Sequence, residues 1–230
     1  MNDIDMDGHP LEPIGGELEN DIYFSGNFDG NGKTIYNLNL MGEFASSFMN
    51  VGLFGCTKNA VIKNLNIAQM VATDGYTSTA YFNVGTLIGK AISTTVVNCH
   101  IKSDMGLAAC LPQSQTTLYA GGLIGMIQDG GTVKGCTYKG TMTIQGRGDP
   151  DANHAGNRVA VLAGALVGRV DANAGVDGMT VTIEDCIIDG NIKLSGPCYH
   201  SGFSGVLGIF YNGYGAADSF SSDFIRIYFK

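Results

Sequence analysis

Apolar and polar positions along this chain follow neither the period of a helix nor the strict alternation of a flat strand. Six-residue stretches recur instead: IYNLNL (35–40), IKNLNI (62–67), VVNCHI (96–101), VKGCTY (133–138) and IEDCII (183–188). Each reads Ile or Val, any residue, Asn, Gly or Asp, Leu or Cys, any residue, then a large apolar residue. The apolar positions are thus first, fourth and sixth, whereas a flat strand keeps a spacing of two throughout. The surplus residue falls at Asn37, Asn64, Asn98, Gly135 and Asp185, types that tolerate left-handed backbone and bond their own main chain. The pattern predicts two short strands joined by a bend at one phase of every repeat. Leu38, Leu65, Cys99, Cys136 and Cys186 then form an inward apolar ladder, with cysteine acting as a small hydrophobe.

A second signature recurs: VGLFG (51–55), VGTLIG (84–89), GGLIG (121–125), AGALVG (163–168) and SGVLG (204–208). Its final glycines, Gly55, Gly89, Gly125, Gly168 and Gly208, stand 34, 36, 43 and 40 residues apart. Units of this length mark solenoids, propellers and arrays. A propeller needs four strands per unit, while these units show two clear strands and one vague one. Helix signals are confined to EFASSFM (43–49). The expected fold is all-β, a parallel β-helix (β-solenoid) of about five coils. We expect a single domain over 1–230, with 1–34 as lead-in and first turn, 35–210 as repeating coils and 211–230 as a C-terminal cap or a continuation into a longer chain.

Composition narrows the function classes. Charged residues make up 15% of the chain, and glycine occurs 34 times, about twice the average usage of ~7%. Tight turns are therefore frequent. A hydrophobic content of 44% excludes disorder, and no apolar run approaches a membrane span. The net charge of −8 and the scattered Lys and Arg argue against nucleic acid as a partner. Six cysteines without metal-ligand spacing point mostly to free thiols. A Cys99–Cys136 bridge stays open, because neighbouring rungs lie ~4.8 Å apart, within bridging range.

The phrase FSGNFDGNGKTIYNLNL, followed by VGLFG and AVIKNLNI, resembles the opening of bacterial surface proteins built from GLUG motifs, where F-D-G-N-G-K-T-I precedes G-L-F-G and then I-K-N-L. DIDMDGHPLEPIG resembles the lead-in strand of the same family. The resemblance is strong over 3–101 and looser beyond, where an insertion at 141–161 and a longer gap before Cys186 depart from the short form. It implies a right-handed parallel β-helix in secreted or surface-attached proteins, including the non-catalytic regions of adhesin-like chains, and it brings no catalytic residues and no cofactor. The start MNDIDMDG carries no secretory signal pattern. An extracellular or cell-surface location therefore goes with an expectation that the segment belongs to a longer chain.

Other stretches imitate known binding loops. FDGNGKT (28–34) imitates a phosphate-binding loop, but that loop needs glycine where Asn27 stands, and a helix where a strand pattern follows. Asp3, Asp5, Asp7 and Gly8 imitate the start of a calcium loop, whose twelfth position here is Ile14 and whose eighth is Pro10. Cleavage of polysaccharide needs paired carboxylates or a carboxylate-held calcium with a base. The outward positions Tyr36, Lys63, Val97, Lys134 and Glu184 form no acidic cluster. Two candidate ligand sites remain: Arg147, Gly148 and Asp149 in the 141–161 insertion, an integrin-type tripeptide on a loop, and Tyr199, Tyr211 and Tyr214, which stack on sugar rings or pack a cap. The expected function is a non-catalytic extracellular scaffold or adhesin-like module that meets a host surface protein or glycan. The alternative is a carbohydrate-binding or polysaccharide-cleaving β-helix.

Overall fold

The computed structural model describes residues 2–16, 22–40, 50–69, 76–77, 82–110, 116–147, 159–172, 180–195, 200–204 and 207–212. The segment 43–49 and residues 213–230 lie outside the described residues. The chain is all-β: among the described residues there is no helix, and every strand pairing is parallel. Five strands, Asn50–Val51, Phe82–Gly85, Thr116–Gly121, Val159–Gly164 and His200–Ser204, form one sheet in chain order. The other fourteen, from Ile4–Asp5 to Leu207–Asn212, form a second, branched sheet that curls strongly into a half-barrel.

Register places equivalent residues of successive units side by side. Phe54, Ile88, Ile124, Val167 and Leu207 form one row. Ile62, Val96, Val133 and Ile183 form another, and Ile35, Ile67, Ile101, Tyr138 and Ile188 a third. These rows supply much of the core, with Ile62, Ile67, Ile88, Val96, Ile101, Ile124 and Tyr138 almost wholly shielded from solvent. Ile4 extends the third row by pairing with Ile35 and is 48% exposed. Burying such β-branched and aromatic side chains is the main favourable term of the fold.

The bends fall where the residue types predicted them. Asn64, Asn98, Gly135 and Asp185 have φ of 55°, 52°, 64° and 53°, the left-handed region that Asn, Asp and Gly enter most easily. The first unit departs from the sequence alignment. Ile35 pairs with Ile67, not Ile62, and Phe28 takes the place opposite Ile62. The reason is a register shift between Asp29 and Lys33: Gly30, Asn31 and Gly32 together occupy the bend that Asn64 makes alone. Asn37 therefore belongs to the following bend, with φ of 53° beside Gln69 at 58°. Leu38, though buried, is not in the row of Leu65, Cys99, Cys136 and Cys186. Cys56, Cys99, Cys136 and Cys186 are free thiols.

Two of the early turns share one hydrogen-bonding device. Asp29 Oδ1 accepts from the Asn31 backbone N–H at 2.8 Å and from Asn64 Nδ2 at 3.0 Å, while Asn66 Nδ2 donates to the Gly32 carbonyl at 2.9 Å. Asp5 Oδ1 likewise accepts from the Asp7 N–H at 2.9 Å and from Asn37 Nδ2 at 2.7 Å, and Asn39 Nδ2 donates to the Gly8 carbonyl at 2.9 Å. Both the phosphate-loop lookalike and the calcium-loop lookalike are thus turns of the form Asp-x-Asn/Asp-Gly, tied to the next unit by two asparagines.

The glycine signature marks the passage between the two sheets. Gly52-Leu53, Thr86-Leu87, Gly122-Leu123 and Ala165-Leu166 each link a strand of the smaller sheet to one of the larger. The leucines are buried and the links bond to one another, as in Leu87 N to the Leu123 carbonyl at 3.0 Å and Leu123 N to the Leu166 carbonyl at 3.0 Å. Past the link, Gly55, Gly89, Gly125 and Gly168 stand in one row. A Cβ on Gly125 would lie 2.5 Å from Val84 N, 2.6 Å from the Gly89 carbonyl oxygen and 2.7 Å from Asn83 C. The two sheets touch backbone to backbone there, and only glycine permits it.

Candidate functional site

Most residues of the two expected ligand sites lie outside the described residues. Arg147 ends the strand Thr137–Arg147, opposite Cys110, while Gly148 and Asp149 lie outside the described residues. Tyr211 lies in the strand Leu207–Asn212 opposite Asp171, and Tyr199 and Tyr214 lie outside the described residues.

An open groove of about 430 Å³ lies instead beside the bend that follows the Ile67, Ile101 and Tyr138 row. Gln69, Lys102, Ser103, Asp104, Lys139 and Gly140 line it. Its geometry follows from register: Ala68, Lys102, Lys139 and Asp189 are successive partners in one row. Two lysines therefore sit on adjacent strands, ~4.8 Å apart along the stack, an unfavourable like-charge pairing in a sheet. Lys139 Nζ donates to Asp189 Oδ2 at 2.6 Å, and that bond raises the ammonium's pKa. Among the described residues no carboxylate pairs with Lys102. In the same lining Asp104 Oδ1 accepts from the Thr141 N–H at 2.6 Å, and Ser103 Oγ donates to the Asp104 carbonyl at 3.1 Å. Gly140 lets its strand pack closely against the next one, since a Cβ there would collide with the Ser103 carbonyl.

The remaining described acids that are ion-paired sit against cations. Asp29 pairs with Lys63 at 3.3 Å, Glu184 with Lys134 at 2.8 Å and Asp171 with Arg169 at 2.8 Å. The Arg169 guanidinium also lies over the Tyr119 ring, 4.6 Å from its centroid, and donates to the Tyr119 hydroxyl at 2.5 Å. Asp3, Asp5 and Asp7 do not converge on a cation: Asp3 Oδ1 accepts from the Thr34 N–H at 2.9 Å, and Asp5 Oδ1 is held as described above. Among the described residues no group of three or more His, Cys, Asp or Glu side chains is placed to hold a metal ion. No helix among them is long and apolar enough to cross a membrane.

Sequence reasoning missed the groove because the repeat was read only through its sixth position. The next column of the same alignment holds Ala68, Lys102, Lys139 and Asp189. Two adjacent lysines in that column were the available signal.

Comparisons with protein families, with curated proteins and with solved structures find no match.

Proposed function

We propose that the chain is a right-handed parallel β-solenoid serving as a non-catalytic scaffold or adhesin-like module of a bacterial surface or secreted protein. The observation that carries this reading is the in-register row Phe54, Ile88, Ile124, Val167 and Leu207, one residue from each of five successive units. Parallel connections of this kind are right-handed in nearly all proteins, and a stack of such units makes a stiff body with long outer faces. Such a body suits the display of loops to a host surface protein or glycan, in keeping with the GLUG-like phrases. Within this reading, groups such as Lys63–Asp29 and Lys134–Glu184 are solvated surface pairs.

The decisive test removes one unit in register. Val61 pairs with Thr95 and Ile62 with Val96, so deleting 62–95 joins Val61 to Val96 at equivalent positions. A solenoid closes over this gap, keeps a cooperative β-type melt and shortens by ~4.8 Å in solution scattering. An unfolded deletion variant sinks the solenoid. For the functional half, the intact domain is screened against immobilised matrix proteins and glycans, with the supernatants assayed for products. Released products refute the non-catalytic reading.

A further inference from the structure

We propose that the groove at Lys102, Lys139 and Gly140 is a binding site for a single carboxylated sugar residue of the hexuronate class. The assignment builds on the reading of the domain as a surface that recognises ligands, and it supplies the chemistry that reading leaves open.

Charge comes first. In a chain of net charge −8, with 13 basic against 21 acidic residues, the groove brings two lysines together on adjacent strands; Lys139 is answered by Asp189, while among the described residues no carboxylate pairs with Lys102. The neighbouring surface row shows the contrast: Lys134 directly faces Glu184, and Lys63 turns to Asp29. A carboxylate placed between two ammonium groups one strand apart accepts from both, a charge-assisted arrangement stronger than a neutral hydrogen bond.

The second observation is the rest of the lining. Asp104 lines the same groove with one oxygen held by the Thr141 N–H, and Gln69 adds an amide. A ligand that is anionic throughout, such as a polysulfate, is repelled by Asp104. A ligand with one carboxylate and several hydroxyls is complementary, with its acid toward the lysines and its hydroxyls donating to Asp104 and Gln69. A volume of about 430 Å³ lies within the range of small-molecule sites, ~300–1,000 Å³.

The test is an NMR titration of the intact, ¹⁵N-labelled domain with glucuronate, with glucose as the neutral counterpart and acetate as the bare acid. Glucuronate is expected to shift the amides of 102–104 and 139–141 saturably, glucose not at all, and acetate more weakly. Lys102→Met removes one charge-assisted bond from an exposed position and is expected to weaken glucuronate binding about tenfold. Lys63→Met, on a different part of the surface, leaves it unchanged. Asp104→Asn is expected to narrow the preference for glucuronate over acetate. Absence of saturable shifts, equal response to glucose, or indifference to Lys102→Met overturns the assignment. The outcomes separate from those of the scaffold reading: a folded in-register deletion with no glucuronate response removes only the groove assignment, and binding followed by breakdown of a uronate oligomer keeps the groove but refutes the non-catalytic role.

Discussion

Replacing Gly125 with alanine tests the close approach of the two sheets. The added Cβ would stand 2.5 Å from Val84 N and 2.6 Å from the Gly89 carbonyl oxygen, where ordinary contacts are 3.4–4 Å. Relief requires a shift approaching 1 Å, and the obstructing atoms are backbone on two hydrogen-bonded strands, so no side-chain rotation supplies it. Overpacking of this kind costs about 1–3 kcal/mol, and rigid surroundings put this site at the upper end, about 3 kcal/mol. For a chain of this size that is a fall in Tm of about 6–12 °C, read by calorimetry or far-UV circular dichroism. Gly32 is the control, because a Cβ there meets nothing within 4 Å while φ is +69°. Gly32→Ala is expected to lose about 1–2 kcal/mol from backbone conformation alone, and Gly32→Asn less, since Asn tolerates that region. At Gly125 the order inverts, with Asn worse than Ala because it is larger. A Gly125→Ala variant within about 0.5 kcal/mol of the parent, or the same ranking at both sites, refutes the argument.

Four further outcomes follow from buried or hydrogen-bonded groups. The Tyr138 hydroxyl is buried with no hydrogen-bond partner among the described residues, so Tyr138→Phe is expected to leave stability unchanged or raise it by about 1 kcal/mol; a clear loss in urea denaturation reveals a partner. Burial, with a smaller contribution from Asp104, pushes that phenol to about 12, and an ultraviolet pH titration that finds it ionising like an exposed tyrosine contradicts its placement. The Asn64 side chain and then the Asn31 N–H hold the Asp29 carboxyl below its usual 3.8; a folded value depressed in this way stabilises at pH above 3.8 and the contribution is lost as pH falls through the lower, folded value. Urea midpoints at neutral pH and well below 3.8 should therefore differ less in Asp29→Asn than in the parent, and an equal difference counts against the turn geometry. The Cys136 thiol, lowered by Cys186 but raised more by Cys99 and burial, lies at about 12, so iodoacetamide at neutral pH is expected to spare Cys136 until the protein is denatured; labelling of the native protein at that peptide shows an opening that the packing does not contain.

Much of the fold was legible because its bends are written in residue type. Asn64, Asn98, Gly135 and Asp185 occupy left-handed backbone for the reason that suggested them, the ease with which Asn, Asp and Gly reach it. The parallel, all-β character followed from the repeat itself. The first unit was misregistered because FDGNGKTI spreads over three residues, Gly30 to Gly32, the bend that IKNLNI makes with one. Apolar spacing alone then slid Asn37 and Leu38 into the wrong row. The glycine spacing was visible but its cause was not, since Gly125 answers to Val84 and Asn83 in another sheet, a contact absent from any local window. The groove was hidden for a similar reason: Lys102 and Lys139 become neighbours only through register.

The asparagine bonds to the early turns have a direction. Asp5 is completed by Asn37, and Asp29 by Asn64, so each turn takes its partner from the unit made after it. On a ribosome, where the N-terminal end emerges first, the turn at 5–8 waits half-finished until residues 37–39 arrive, and the turn at 29–32 waits for 64–66. A strand docked one residue out of step presents its asparagine to the wrong face and leaves the waiting carboxylate unanswered. Each early turn therefore favours one register in the unit that follows it along the chain.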